Sequence, residues 1–184
     1  MTSIDPAVVA ELFARGDAAR TTSEKGDALE ELIVYLFELV PGISNTTRKA
    51  RNPGGVAEID VAFWNDGPPD GLRQFDAFIL IEAKNWSAKV GYTEIVLFKE
   101  KLENRGMSFG ILVAASGITG DATSRTAAYN ALYSYLSAGR HILILTRAEI
   151  EILSSTDELI RLLIRKRLAL ILSGEIYEDP RTAL

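Results

Sequence analysis

Between residues 24 and 40 the apolar positions Leu29, Leu32, Ile33, Leu36, Phe37 and Val40 recur at intervals of three and four. That spacing places them on one stripe of an α-helix. Pro41-Gly42 follows, and neither residue suits a helix interior. A shorter helix is expected over 5–15, with Pro6 in its first turn and Gly16 after its last. The period then changes. Segments 58–64 and 78–84 are rich in Ile, Val, Phe and Trp and read as strands, preceded by a polar strand over 46–51. The cluster Asn65-Asp-Gly-Pro-Pro-Asp-Gly lies between the two apolar strands, so they form an antiparallel hairpin. Beyond them the pattern predicts a helix over 93–104, a buried strand over 109–115, a helix over 121–137, a strand over 141–146 and a helix over 157–172. The last helix carries the stripe Ile160, Leu163, Ile164, Leu168 and Ile171.

This order implies an α/β fold: a mixed central sheet flanked by helices, with a core of about 24–146 and terminal helices added at 5–15 and 157–172. No repeat, low-complexity run or dividing linker interrupts it, so one domain over 1–184 is expected. The chain has 184 residues, 47% hydrophobic and 24% charged, the balance of an ordinary globular protein. It has no cysteine, which excludes disulfide frameworks, zinc ribbons and thiol nucleophiles. Met1-Thr-Ser-Ile-Asp-Pro lacks a basic patch before an apolar run, so no signal peptide is expected. The apolar stretches are too short to span a bilayer. These features fit a cytoplasmic protein without a membrane partner.

Net charge is −5 and the pI near 5.0. Non-specific coating of nucleic acid calls for a positive excess. Any nucleic-acid contact here must come from a local basic patch or from metal-assisted phosphate binding.

Charged residues inside apolar strands need a reason, because burying an unpaired charge is costly. In Phe78-Ile-Leu-Ile-Glu-Ala-Lys84 the period of two sends Glu82 and Lys84 to one face, roughly 6.6 Å apart along the strand. Ile79, Ile81 and Ala83 take the other. On the preceding strand Asp60 shares a face with Glu58, while Ile59, Val61 and Phe63 point away. If the strands are neighbours, Asp60 stands beside Glu82, and two carboxylates meet one ammonium. A hard divalent cation relieves the repulsion of two close carboxylates and can polarise a phosphate and its attacking water.

Ile59-Asp60 followed by Glu82-Ala83-Lys84 resembles the signature of the PD-(D/E)XK nuclease superfamily, with Ile59 in place of its proline. Lys25-Gly-Asp-Ala-Leu-Glu30 resembles that superfamily's upstream helix, where a glutamate four residues after a glycine completes the acidic cluster. Asn85-Trp86 and Gly106…Gly110-Ile-Leu-Val add a likeness to Mrr-like restriction endonucleases. The resemblance covers roughly 24–120 and implies a restriction-endonuclease-like αβββαβ core. It implies catalytic roles for Glu30, Asp60, Glu82 and Lys84, with Mg²⁺ or Mn²⁺ on Asp60, Glu82 and Glu30. Glu58, on the face of Asp60, is a candidate extra ligand. Helix geometry puts Glu30 at the edge of the apolar stripe and Glu31 in solvent, and Gly26 suggests a close approach of that helix to the strands.

Other features admit two readings each. Arg48, Lys49 and Arg51, before Asn52-Pro-Gly-Gly55, grip phosphate or decorate a solvated edge strand. Trp86 and Lys89 touch a nucleotide, or Trp86 rims the core. Gly117-Ile-Thr-Gly-Asp121 offers amides to a phosphate, or is a turn with Asp121 as N-cap. His141, the sole histidine, is read as structural. Arg161, Arg165, Lys166 and Arg167 decorate the last helix, whose stripe packs on the core or on a partner subunit. The expected activity is Mg²⁺-dependent DNA endonucleolysis in restriction, phage defence or DNA processing, by a homodimer or within a larger complex. The alternatives are a structure-specific nuclease of junction-resolving or repair type, and a catalytically silent module that binds nucleic acid or protein.

Overall fold

The computed structural model describes residues 2–51, 58–120 and 126–182. Its centre is a five-stranded mixed sheet in the order β1-β2-β3-β4-β5, formed by β1 (Ile43–Arg51), β2 (Glu58–Asn65), β3 (Phe78–Lys84), β4 (Phe109–Ala114) and β5 (His141–Leu145). The expected hairpin is present: β2 runs antiparallel to both β1 and β3, while β3, β4 and β5 are parallel. Parallel neighbours require crossovers, and α3 (Tyr92–Glu103) and α4 (Ala128–Ser137) supply them on one face. The other face carries α1 (Pro6–Ala18), α2 (Thr22–Glu38) and α6 (Thr156–Ser173), with the short α5 (Arg147–Glu151) between β5 and α6.

The sheet separates two apolar cores. Val61, Phe63, Ile79, Ile81 and Ala83 meet α1, α2 and α6, whereas Leu80, Leu112, Ile142 and Ile144 meet α3 and α4. Alternation within β3 follows the period-two expectation. β2 departs from it. Ile59 packs with Leu80 and Phe98 on the α3 side, not with Val61 and Phe63, so the strand changes its facing around Asp60.

Local chemistry explains the element ends. Thr21 and Glu24 form a reciprocal capping box at the start of α2, which satisfies amides left open by the first turn. Gly42 closes the following turn at φ +79°, where an added Cβ would lie 2.3 Å from Pro68. Gly110 on β4 lets α3 approach closely, since a Cβ there would meet Phe98 and Leu102 at 2.8 Å.

Several expectations need correction. The first helix continues past Gly16 to Ala18, and α5 carries no apolar repeat long enough to register as periodicity. The helix expected from residue 121 begins at Ala128 among the described residues, and Asp121 and Asn52-Pro-Gly-Gly55 lie outside them. On α6 the buried face is Leu159, Leu162, Leu163, Lys166 and Leu170, while Leu168 and Ile171 are about half exposed. The helix is apolar on more than one side, and its packed face carries an ion pair. Lys166, expected on the surface, is buried against Glu149 at 2.6 Å and donates to the Tyr177 carbonyl. No helix among the described residues is long and apolar enough to cross a membrane.

Candidate active site

The ladder between β2 and β3 runs from Trp64↔Phe78 to Val61↔Ile81. Asp60 is the next residue along β2. Beyond the last pair, the amide of Ala83 donates to the Asp60 side chain, with N to Oδ2 at 2.7 Å. This bond ties the carboxylate of β2 to the backbone between Glu82 and Lys84. Burial, and then the charge of nearby Glu82, push the Asp60 carboxyl up to about 6. The Ala83 amide, Lys84 and Lys101 pull against that rise. Asp60 is thus an under-compensated, half-buried acid.

Glu82 is 3% exposed and sits among ammonium groups. Lys84 Nζ lies 2.7 Å from Oε1, as the shared face of β3 predicts. Lys101 Nζ reaches across from α3 to both oxygens, at 2.7 Å each. The sequence reading missed Lys101. Its signal was present, because it lies three residues after Phe98 and beside Leu102, at the border of the buried face of α3. Its partner, 19 residues away on another element, could not be read from spacing.

Glu30 on α2 is buried, 6% exposed, and accepts from Arg48 of β1 at 2.9 and 3.2 Å. One turn earlier, Asp27 takes Lys49 at 2.6 Å. Glu58 is held by Arg51 at 2.8 Å. The three β1 cations expected to face phosphate are therefore each paired with an acid of this region. Lys49 adopts φ +53°, a left-handed conformation that costs energy in a non-glycine residue. Its register places it across from Asp60. Glu31 is exposed and paired with Arg15. Gly26 does not mediate a close approach: a Cβ there would meet nothing within 4 Å, because the residue borders open space.

That space is a cavity of about 540 Å³ between the first turns of α2 and the end of β3, lined among others by Glu30, Lys49, Glu58, Asp60, Lys84 and Trp86. Glu82 is not among its lining residues, and its carboxylate meets Lys101 of α3. Trp86 is 41% exposed, with Lys84 Nζ 5.7 Å from its ring centroid, so it is a surface aromatic and not part of the core rim. Lys89 is exposed nearby in sequence and is not among the lining residues. Gly117 contributes backbone pairing to Val90.

The profile of the Mrr catalytic domain, described as restriction endonuclease, matches residues 21–145. The chain belongs to the Mrr-type restriction endonuclease family. No curated protein and no solved structure matches it. The matched span of this restriction-endonuclease chain opens at the cap of α2 and closes at the end of β5, so it contains every residue lining the cavity.

Among the described residues, no three acidic or histidine side chains gather closely enough to cage a metal. Glu30 is turned into Arg48 and does not join Asp60 and Glu82 in a cluster of three acids. The donor set that could hold a cation is the Asp60–Glu82 pair. Magnesium commonly takes one or two carboxylates and completes its shell with water and phosphate oxygen. Asp60, destabilised as an anion by burial and by Glu82, is the kind of group such a cation relieves. Asp60 on the cavity wall, with Glu82 beside it on the next strand, is the donor chemistry a divalent ion would use.

Proposed function

We propose that this restriction-endonuclease chain hydrolyses DNA phosphodiesters with Mg²⁺ or Mn²⁺, using Asp60, Glu82 and Lys84, with Glu30 on the opposite wall of the cavity. The reading rests on the Asp60 carboxylate being hydrogen-bonded to the backbone between Glu82 and Lys84, on the wall of a cavity of about 540 Å³. Asp60 and Glu82 would be the ligands. Bound there, the divalent ion would neutralise phosphate charge and acidify the attacking water.

Lys84 lines the cavity and carries its ammonium to the carboxylate edge, where it orients the water and stabilises charge developing on the phosphate. Glu30 holds Arg48 and, through it, the β1 edge beside the cavity. Arg48, Lys49 and Arg51 meet the DNA backbone by exchanging acid partners for phosphates. Trp86, exposed beside Lys84, offers a face to a sugar or base, and Lys89 adds charge along the same loop. Glu58, committed to Arg51, is a candidate for the cavity's acidic wall and not a principal ligand. Residues 1–184 act as one nuclease domain, working in restriction, phage defence or DNA processing in the cytoplasm, as a homodimer or within a larger complex.

The test is divalent-dependent cleavage of plasmid, single-stranded DNA and RNA. Lys84→Ala is expected to lower DNA cleavage by about 10²- to 10³-fold, the usual cost of one charge-stabilising donor. A Lys84→Ala protein as active as the original would refute the assignment.

A further inference from the structure

Glu82 has more positive charge around it than one catalytic lysine supplies. Lys84 and Lys101 both lie 2.7 Å from Oε1, and Oε2 is taken by Lys101 alone. Together with Asp60 these are two carboxylates and two ammonium groups, so the metal-free centre is already neutral. A divalent cation entering such a centre meets ammonium groups in the place it must occupy. An ammonium group that withdrew would free acceptor sites on Glu82 for it.

The geometry distinguishes the two lysines. Lys84 touches one oxygen of Glu82, lines the cavity and lies near the Trp86 ring. Lys101 covers both oxygens from the side of α3 and is not among the cavity-lining residues. With Lys101 on both oxygens and Lys84 on Oε1, a metal would have to compete for the lone pairs of Glu82 that remain. Lys101 is 21% exposed at its side chain, so its long, flexible stem has solvent to retreat into.

We infer that Lys101 is a built-in counter-cation, which holds Glu82 in the metal-free protein and must swing away before a divalent cation binds. It is a positioning residue, and the inference rests on the Asp60–Glu82 metal reading above. Its consequence is a resting chain that stays folded without metal and takes up the cation only by displacing a competitor. Apparent metal affinity is then reduced by the fraction of molecules whose Lys101 has withdrawn.

Mn²⁺ binding, followed by the electron paramagnetic resonance of the free ion, tests this directly. Lys101→Met, similar in length but uncharged, is expected to bind Mn²⁺ about tenfold more tightly than the original chain, as for a competitor absent from roughly a tenth of molecules. Lys101→Arg, which keeps the charge, should stay as weak as the original. In the absence of metal Lys101→Met should melt earlier, and Mn²⁺ should restore it. Original and Lys101→Met proteins of equal affinity would overturn the counter-cation role and leave the metal site standing. Absence of Mn²⁺ binding in both would overturn the metal site and the inference together. The original chain provides a second arm, which needs no variant to fold. Acetylation footprinting read by mass spectrometry should show Lys101 labelled faster when Mg²⁺ is added, and an unchanged rate would also overturn the role.

Discussion

At Asp60 the chain accepts a local loss of stability in order to hold a carboxylate where solvent cannot fully reach it. Its folded-state value of about 6 lies above the ordinary 3.8, so between those values the folded chain binds more protons than the unfolded one. Stability therefore falls as pH rises through this window, and the full penalty stands above pH 6. Asp60→Asn keeps an oxygen for the Ala83 amide and removes the charge. Without divalent metal it is expected to stabilise the protein at pH 8 by on the order of 2 kcal/mol, with the gain gone by about pH 4 and nuclease activity lost. Urea unfolding at the two pH values, in chelator, measures this. A variant less stable than the original at pH 8 contradicts the account. Glu82 is the contrasting acid: equally close to the centre, it is compensated by two lysines.

Among the elements, α6 carries a buried ion pair within its packed apolar face. Burial draws Lys166 below the usual lysine range, and Glu149 pushes it back up. Glu149 also accepts from the Asp179 amide and from Thr146 at the cap of α5, so α5, α6 and the C-terminal segment meet on one carboxylate. Removing one member of a buried pair leaves the other charge stranded. Lys166→Ala is expected to cost about 3 kcal/mol in urea unfolding, and the Glu149→Gln/Lys166→Met pair to recover most of it. Equal losses in both proteins would mean that packing, not charge, is what Lys166 supplies. Elements with a clear period were legible from sequence: α2, β2, β3 and β4 lie close to where their apolar spacing puts them. The packed face of α6 was legible only in part: Leu163 of the expected stripe is buried and Ile160 and Ile164 pack against the core, but Leu168 and Ile171 are half exposed, and Leu159, Leu162, Lys166 and Leu170 take the rest of that face.

On the scale of the whole molecule, a net charge of −5 and the pairing of Arg48, Lys49 and Arg51 with Glu30, Asp27 and Glu58 leave little uncompensated positive field beside the cavity. Duplex binding should then depend on the metal. In fluorescence anisotropy the Lys84→Ala protein, impaired in cutting, is expected to bind a labelled duplex about tenfold more tightly in Mg²⁺ than in chelator, with a shallow salt dependence in chelator. Equal binding in both conditions would point to a basic surface elsewhere.

Local order in the chain was enough to determine the α/β class, the β2–β3 hairpin and the sharing of one face by Glu82 and Lys84, because period and turn chemistry act between near neighbours. Only the folded chain decided that Glu30 turns to Arg48, that Asp60 is tied to the Ala83 amide, and that Lys101 covers Glu82. Those contacts join residues on separate elements, and their energies depend on burial and charge that no single segment carries.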